Sequence, residues 1–261
     1  MFEILSKQII TDRVKRIDVK APKIAQTAKP GQFVLVMPDD KTMRVSLPIA
    51  EVNLIKESIT LIFCEDSPSL DRLGNLWIGD SLSAVIGPLG MPEAIVKESK
   101  VACVGYGIGI AAIMFLCREL RKNDNKVIGI IGGKTGKDII LEPQMRLTCQ
   151  KIFLMTEDGT AGRKGYVTQA LEEVVQNEKA SLVYVAGPIE IIEEILIVAR
   201  AQAVKTKVII EPLTIDGMGI CGTGQICVDG ADTCVALDGP IFEAEKLDLE
   251  NLRQKMNNFT K

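Results

Sequence analysis

The sequence contains no histidine. That absence removes the commonest general base, the commonest zinc ligand and every Ser–His–Asp or Cys–His catalytic scheme. Chemistry run by such a chain has to be carried by a bound cofactor, and no side chain is singled out as a catalytic group. Lysine and arginine form no cluster and the net charge is −3, so neither nucleic acid nor an anionic membrane surface is an expected partner. No apolar stretch approaches the ~20 residues that span a bilayer. Residues 1–22 alternate like a strand from the outset and lack the pattern of a signal peptide, which makes the cytoplasm the expected compartment. Cysteines number seven, and an odd count without a leader argues against a disulfide framework.

What is present suffices for two ordinary domains with cores of their own, or two domains and a small appendage: 261 residues, 47% hydrophobic and 25% charged. Residues 1–97 read as all-β. Strand-like runs at 4–10, 13–20, 32–36, 45–51, 58–63 and 80–86 are separated by turn signals such as Pro30-Gly31, Gly79-Asp80 and Gly87-Pro88. This spacing predicts a six-stranded antiparallel barrel, with a helical piece over 69–76 before the last strand.

Residues 98–210 change rhythm. Strands at 100–104, 126–131, 151–156, 182–186 and 207–210 alternate with helices at 110–122, 142–147, 166–177 and 189–202. That order predicts a doubly wound parallel α/β sheet. Residues 211–261 form a tail with three cysteines, then Asp238-Gly239-Pro240, then a polar helix from about 249 to 257. Cys64, Cys103, Cys117 and Cys149 lie in apolar runs and read as small buried hydrophobes.

The turn Gly105-Tyr106-Gly107-Ile108-Gly109 stands between a buried strand and a helix. Glycines there let the backbone approach a phosphate or ribose, and the helix start offers free N–H groups; a tight turn without a ligand reads equally well. Asp158, Gly159 and Arg163 follow the strand ending at 156, and Gly187-Pro188 follows the strand ending at 186. Open parallel sheets bind ligands at these strand ends, so a phosphate-bearing nucleotide is the expected guest. Arg163 and Lys164 also read as a solvated charged turn.

The stretches PGQFV at 30–34, GDSLSAVIGPLG at 79–90, EDGTAGRKGYVT at 157–168, IDGMGIC at 215–221 and LDGPIF at 237–242 occur together in this order. The whole resembles the ferredoxin–NADP reductase superfamily. Within it, the chain is similar to the small subunit of NADH-dependent ferredoxin–NADP oxidoreductase and to the electron-transfer subunit of class B dihydroorotate dehydrogenase. The resemblance implies FAD on the barrel, NAD(P)H on the α/β domain and a 2Fe–2S cluster in the tail. It also implies a larger flavoprotein or iron–sulfur subunit as partner, with ferredoxin as a further one. The implied function is an electron-transfer subunit of a flavin-dependent oxidoreductase, catalytic with its partner.

Carried over residue by residue, the resemblance makes Arg44 the pyrophosphate cation, with Ser46 and Leu47 beside it. The family's flavin-facing hydroxyl falls on Pro48, for which Ser46, two residues away on the same strand face, is the candidate substitute. Ser67 and Ser69 replace a Gly/Thr-rich phosphate turn, beside an unhelpful Asp66 and Pro68, while Gly87, Pro88, Leu89 and Gly90 match. In the tail Asp216 and Cys221 match the cluster pattern, but its second and third cysteines fall on Gly224 and Ala236. Two arrangements fit: a rebuilt site of Asp216, Cys221, Cys227 and Cys234, or a cluster-free hairpin turning at Asp229-Gly230. Three altered cofactor contacts also fit a cofactor-poor paralogue with a structural or regulatory role.

Overall fold

Alternation in the first third becomes an antiparallel sheet whose two edges are the same stretch of chain. In the computed structural model, which describes residues 2–95, 97, 100–211, 214, 216–220, 222 and 224–259, the first strands are β1 (Phe2–Ile9), β2 (Val14–Lys20), β3 (Phe33–Met37), β4 (Val45–Asn53) and β5 (Ser58–Cys64). They are followed by β6 (Ser81–Leu82) and β7 (Ala84–Leu89). The sheet order is β6-β1-β2-β5-β4-β3-β7, with antiparallel pairing throughout. β6 and β7 form one run broken at Ser83, and they pair with β1 and β3 respectively, so the sheet returns on itself and leaves no long open edge. The six expected strands are present, and the break at Ser83 makes the count seven.

Inside this sheet Ile4, Ile17, Phe33, Leu35, Ile49, Ile59, Leu61 and Phe63 form the buried core. Two short helices accompany it. α1 (Pro22–Thr27) lies against β5 and buries Ile24 and Ala25; six residues are too few to show a helical period, and the sequence reading contains no helix there. α2 (Pro68–Asn75) begins on the Ser67 cap with Pro68 in its first turn, where a missing N–H is harmless.

The second sheet has the order β11-β10-β9-β8-β12-β13-β16. Its strands are β8 (Lys100–Tyr106), β9 (Lys126–Gly133), β10 (Lys151–Thr156), β11 (Arg163–Lys164), β12 (Leu182–Ala186) and β13 (Lys205–Ile209), all parallel, and the antiparallel β16 (Ile241–Glu243). α3 (Gly109–Lys122) packs on β8, β9 and β12 and touches α4 (Glu142–Thr148). α5 (Val167–Glu173) and α6 (Ile189–Ala201) pack together on the sheet. β8 and β9 are buried along nearly their whole length, as strands covered on both faces must be. Cys103, Cys117 and Cys149 are buried free thiols and Cys64 is half-buried, so none of these four is bridged.

The tail adds a two-stranded sheet of β14 (Gln225–Val228) and β15 (Ala231–Cys234), the single turn α7 (Val235–Asp238) and α8 (Leu249–Phe259), which lies against α6 with Arg253 paired to Glu193. The chain divides into two compact units. The first comprises Met1–Glu93, Glu211–Gln225 and Thr233–Pro240; the second comprises Ala94–Ile210, Ile226–Asp232 and Ile241–Lys261. Residues 211–261, read from the sequence as a segment of their own, are shared between the two. Among the described residues no helix is long and apolar enough to cross a membrane.

Candidate functional site

In the second unit the parallel order reverses between β8 and β12. Open α/β sheets bind ligands beyond the C-terminal strand ends at such a reversal. Both strands end there in glycine turns, and the three glycines after β8 do different jobs. A Cβ on Gly105 would stand 2.8 Å from the Ile110 Cα, and one on Gly109 would stand 2.4 Å from the Ala186 carbonyl oxygen. These two let α3 fold back onto β8 and start against the end of β12. Gly107 has φ +56° and nothing within 4 Å of its Cβ direction, so here the backbone faces open space. No side chain caps α3 and its first turn holds no acid, which suits an anion at that end. Gly105, Gly107, Gly109, Gly187 and Pro188 are thus brought to one edge.

Tyr106 ties three strand ends together. Its ring is buried, its Cβ lies 3.1 Å from the Cβ direction of Gly187, and its hydroxyl donates to the Glu157 carboxylate beyond β10. Burial first, then that hydrogen bond, push the phenol well above the ordinary tyrosine range. Stability supplied by the neutral phenol is therefore complete below that range and declines as the pH rises through it. Tyr106→Phe should lower unfolding stability by about 1.5 kcal/mol at neutral pH and flatten the alkaline limb. Urea unfolding at several pH values checks this, and an unchanged limb would remove the Tyr106–Glu157 assignment. Neither residue was a sequence candidate; a tyrosine between glycines at the end of a buried strand is the signal that points to it.

The loop after β10 is held from within. The buried Thr156 hydroxyl donates to the Ala161 carbonyl at 2.6 Å, and Asp158 Oδ1 accepts from the Thr160 hydroxyl at 2.7 Å and from the Thr160 N–H at 2.9 Å. The Thr160 side chain is the main reason the Asp158 carboxyl titrates below its usual range. Gly159, with φ +80°, makes the turn. Arg163, on β11, donates to Glu173 of α5 at 2.8 Å, with both side chains facing solvent. The edge near β10 therefore presents the carboxylates of Glu157 and Asp158, while the Arg163 charge is already met by Glu173.

In the first unit Arg44 stands exposed at the entry to β4 and has no carboxylate partner among the described residues. Ser46 and Pro48 are half-buried and alternate with the buried Leu47 and Ile49, so they share the outer face. Pro48 sits where β4 changes partners: pairing with β3 ends at Phe33↔Pro48 and pairing with β5 starts at Ile49↔Leu61, beside a register shift. A proline is tolerated at such a point because no ladder N–H is required of it. A guanidinium with no carboxylate partner among the described residues, two positions from a half-buried hydroxyl, suits an anionic phosphate. Ser67 Oγ accepts from the Leu70 N–H at 3.4 Å as the α2 cap, and Ser69 is buried. Gly87-Pro88-Leu89-Gly90 closes against the tail: a Cβ on Gly90, whose φ is +79°, would lie 3.0 Å from the Gly239 oxygen and 3.1 Å from the Phe33 ring. Gln32 Nε2 donates to the Gly90 carbonyl at 2.9 Å.

The described residues of the cysteine tail do not assemble a four-ligand cluster. Among the described residues no three His, Cys, Asp or Glu side chains converge to hold a metal ion. Asp216 Oδ1 instead accepts from the Thr214 hydroxyl and from the Met218 and Gly219 N–H groups at 2.9–3.0 Å. Cys234 packs beside the buried Phe33, Leu35 and Ala236. Cys227 is held through its backbone by Asn251 and Asp248. Cys221 lies outside the described residues.

An antiparallel sheet closed on itself, followed by a parallel sheet with its glycine turns at the reversal point, defines the ferredoxin–NADP reductase fold. The comparisons agree. Over 99% of this chain and 93% of the other, the structure matches that of the NADH-dependent reduced ferredoxin–NADP oxidoreductase with TM-score 0.93 and 26% identity. The sequence is 28% identical over 98% of this chain and 91% of the relative to a dihydroorotate dehydrogenase B (NAD(+)) electron transfer subunit homolog of Thermotoga maritima. It is 32% identical, over 69% of this chain and 67% of the relative, to a probable dihydroorotate dehydrogenase B (NAD(+)) electron transfer subunit of Methanopyrus kandleri. No family model matches the chain. The chain belongs to the dihydroorotate dehydrogenase B electron-transfer subunit family.

Proposed function

We propose that this chain exchanges electrons between a pyridine nucleotide on its second unit and FAD on its first, on behalf of a larger partner subunit. The observation that carries the reading is the strand-end edge of the second unit, where Gly107 opens the backbone beside an uncapped, acid-free start of α3. FAD, when bound, supplies the interchange of two-electron hydride chemistry and one-electron transfer. Arg44 would neutralise its pyrophosphate, and Ser46 would supply the hydroxyl that Pro48 lacks. In the second unit the N–H groups at the start of α3 would receive the nucleotide phosphates, because the Gly107 N–H itself already donates to the Gly132 carbonyl at 2.9 Å.

The preferred nucleotide is NADH. Glu157 and the ionised Asp158 stand at the end of β10, and Arg163 is already paired with Glu173, which together disfavour an additional phosphate. Calorimetric titration should give NADH an affinity roughly tenfold or more above that of NADPH. Asp158→Asn should narrow the gap by weakening the repulsion. Equal affinities in the unaltered protein would overturn the preference, and no binding of either nucleotide would overturn the function.

A further inference from the structure

We infer that this chain binds no 2Fe–2S cluster, and that the described residues of the tail are held by apolar packing and hydrogen bonds instead. The inference deepens the electron-transfer reading and rests on it, because it makes the flavin the last electron carrier in this chain. A 2Fe–2S centre needs four ligands converging on two irons. The positions where the family pattern requires its second and third cysteines are Gly224 and Ala236, and the structure uses both for other purposes. Gly224 is left-handed, with φ +70°, a conformation that disfavours any side chain, and its carbonyl accepts the Val235 N–H at 2.9 Å. Ala236 is 2% exposed and faces Phe33 and Leu35, so this position contributes to the hydrophobic core rather than to the loop.

The remaining candidates are engaged separately. The Cys234 sulfur is hemmed in by the same core and by Gly219, whose Cβ direction ends 2.6 Å from it. Cys227 is set by its own backbone: its N–H donates to Asn251 Oδ1 at 3.0 Å and its carbonyl accepts from the Asp248 N–H at 3.1 Å, at the start of α8. Asp216 accepts three hydrogen bonds on one oxygen and so shapes the 216–219 turn. Only Asp216 and Cys221 keep the family spacing, and the Asp216 oxygen already accepts three hydrogen bonds, which leaves the pattern far short of four ligands. What holds these residues is apolar packing and a backbone hydrogen bond: Val235 and Ala236 are buried, Leu89 and Cys234 pack on Phe33 and Leu35, and the Met91 N–H donates to the Gly239 carbonyl at 2.6 Å. No ion is needed to hold these contacts.

The test is iron and acid-labile sulfide analysis of the full chain purified without oxygen, repeated after anaerobic reconstitution with ferrous iron, sulfide and dithiothreitol. Both contents are expected to stay below about a tenth of an atom per chain, with no reduced-cluster signal in the EPR spectrum after dithionite. Iron without matching sulfide, retained in Cys221→Ser and in Cys227→Ser, is adventitious metal and supports the inference. About two irons and two sulfides per chain, lost in either variant, would overturn it. Acid-released flavin from the same sample reports separately on the electron-transfer reading: colourless protein defeats that reading, and iron with sulfide defeats this one.

Discussion

Alanine at position 109 is expected to disrupt the nucleotide edge of the second unit and to lower the melting temperature by roughly 6–12 °C. The new Cβ would lie 2.4 Å from the Ala186 oxygen, 2.6 Å from its carbonyl carbon and 2.8 Å from the Gly187 nitrogen. All three are backbone atoms at the end of β12, so no rotamer change relieves the contact. α3 has to back away from the sheet, and it carries Ile110, Ala111, Ile113, Met114, Leu116 and Cys117 in the core. Overpacking of this kind costs about 3 kcal/mol, at the upper end of its usual range. Thermal and urea unfolding followed by circular dichroism measure it. Gly107→Ala is the informative control: its Cβ meets nothing, and the left-handed backbone costs only about 1–2 kcal/mol. It should weaken nucleotide binding more than its stability loss explains. A Gly109→Ala protein as stable as the parent would mean that α3 does not seat on β12 as described.

Arg44→Ala should have the opposite signature, with cofactor loss and an intact fold. The side chain is exposed at the entry to β4 and has no carboxylate partner among the described residues, so removing it leaves the folded chain within about 0.5 kcal/mol of the parent. A charge-assisted contact to a phosphate is worth about 1.5–3 kcal/mol, which is roughly 10- to 100-fold in FAD affinity. Flavin content after gel filtration and fluorescence titration of the stripped protein read this directly. Arg44→Lys keeps the charge but not the fork, and it should recover only part of the loss. Unchanged flavin retention in Arg44→Ala would move the pyrophosphate site elsewhere on the first unit. Both variants use the protein without its partner, so neither depends on how the larger subunit is recognised.

Much of the architecture was legible from periodicity. The alternation at 58–63 and the apolar run at 126–131 became β5 and β9, and the helices at 110–122 and 189–202 became α3 and α6 almost to the residue. Short elements were not. α1, β11, α7 and β16 span two to six residues each, too few for a pattern to rise above composition, and they exist because neighbouring elements bury them. The candidate site divides along the same line. The glycines at 105–109 and 187 could be found because glycine between a buried strand and a helix has few other uses. Which of them faces a ligand could not, since Gly105, Gly107 and Gly109 look alike in one dimension.

Sequence by itself determined the two sheets, their order along the chain and the family, because hydrophobic period and turn residues are local properties written in consecutive letters. Tertiary structure alone decided what the charged and sulfur-bearing side chains do. Arg163 meets Glu173, Tyr106 meets Glu157, and Cys234 meets Phe33 and Leu35 across gaps of 10, 51 and about 200 residues. An ion pair or a metal site depends on distances of a few ångströms between such residues, and only the folded chain sets those distances.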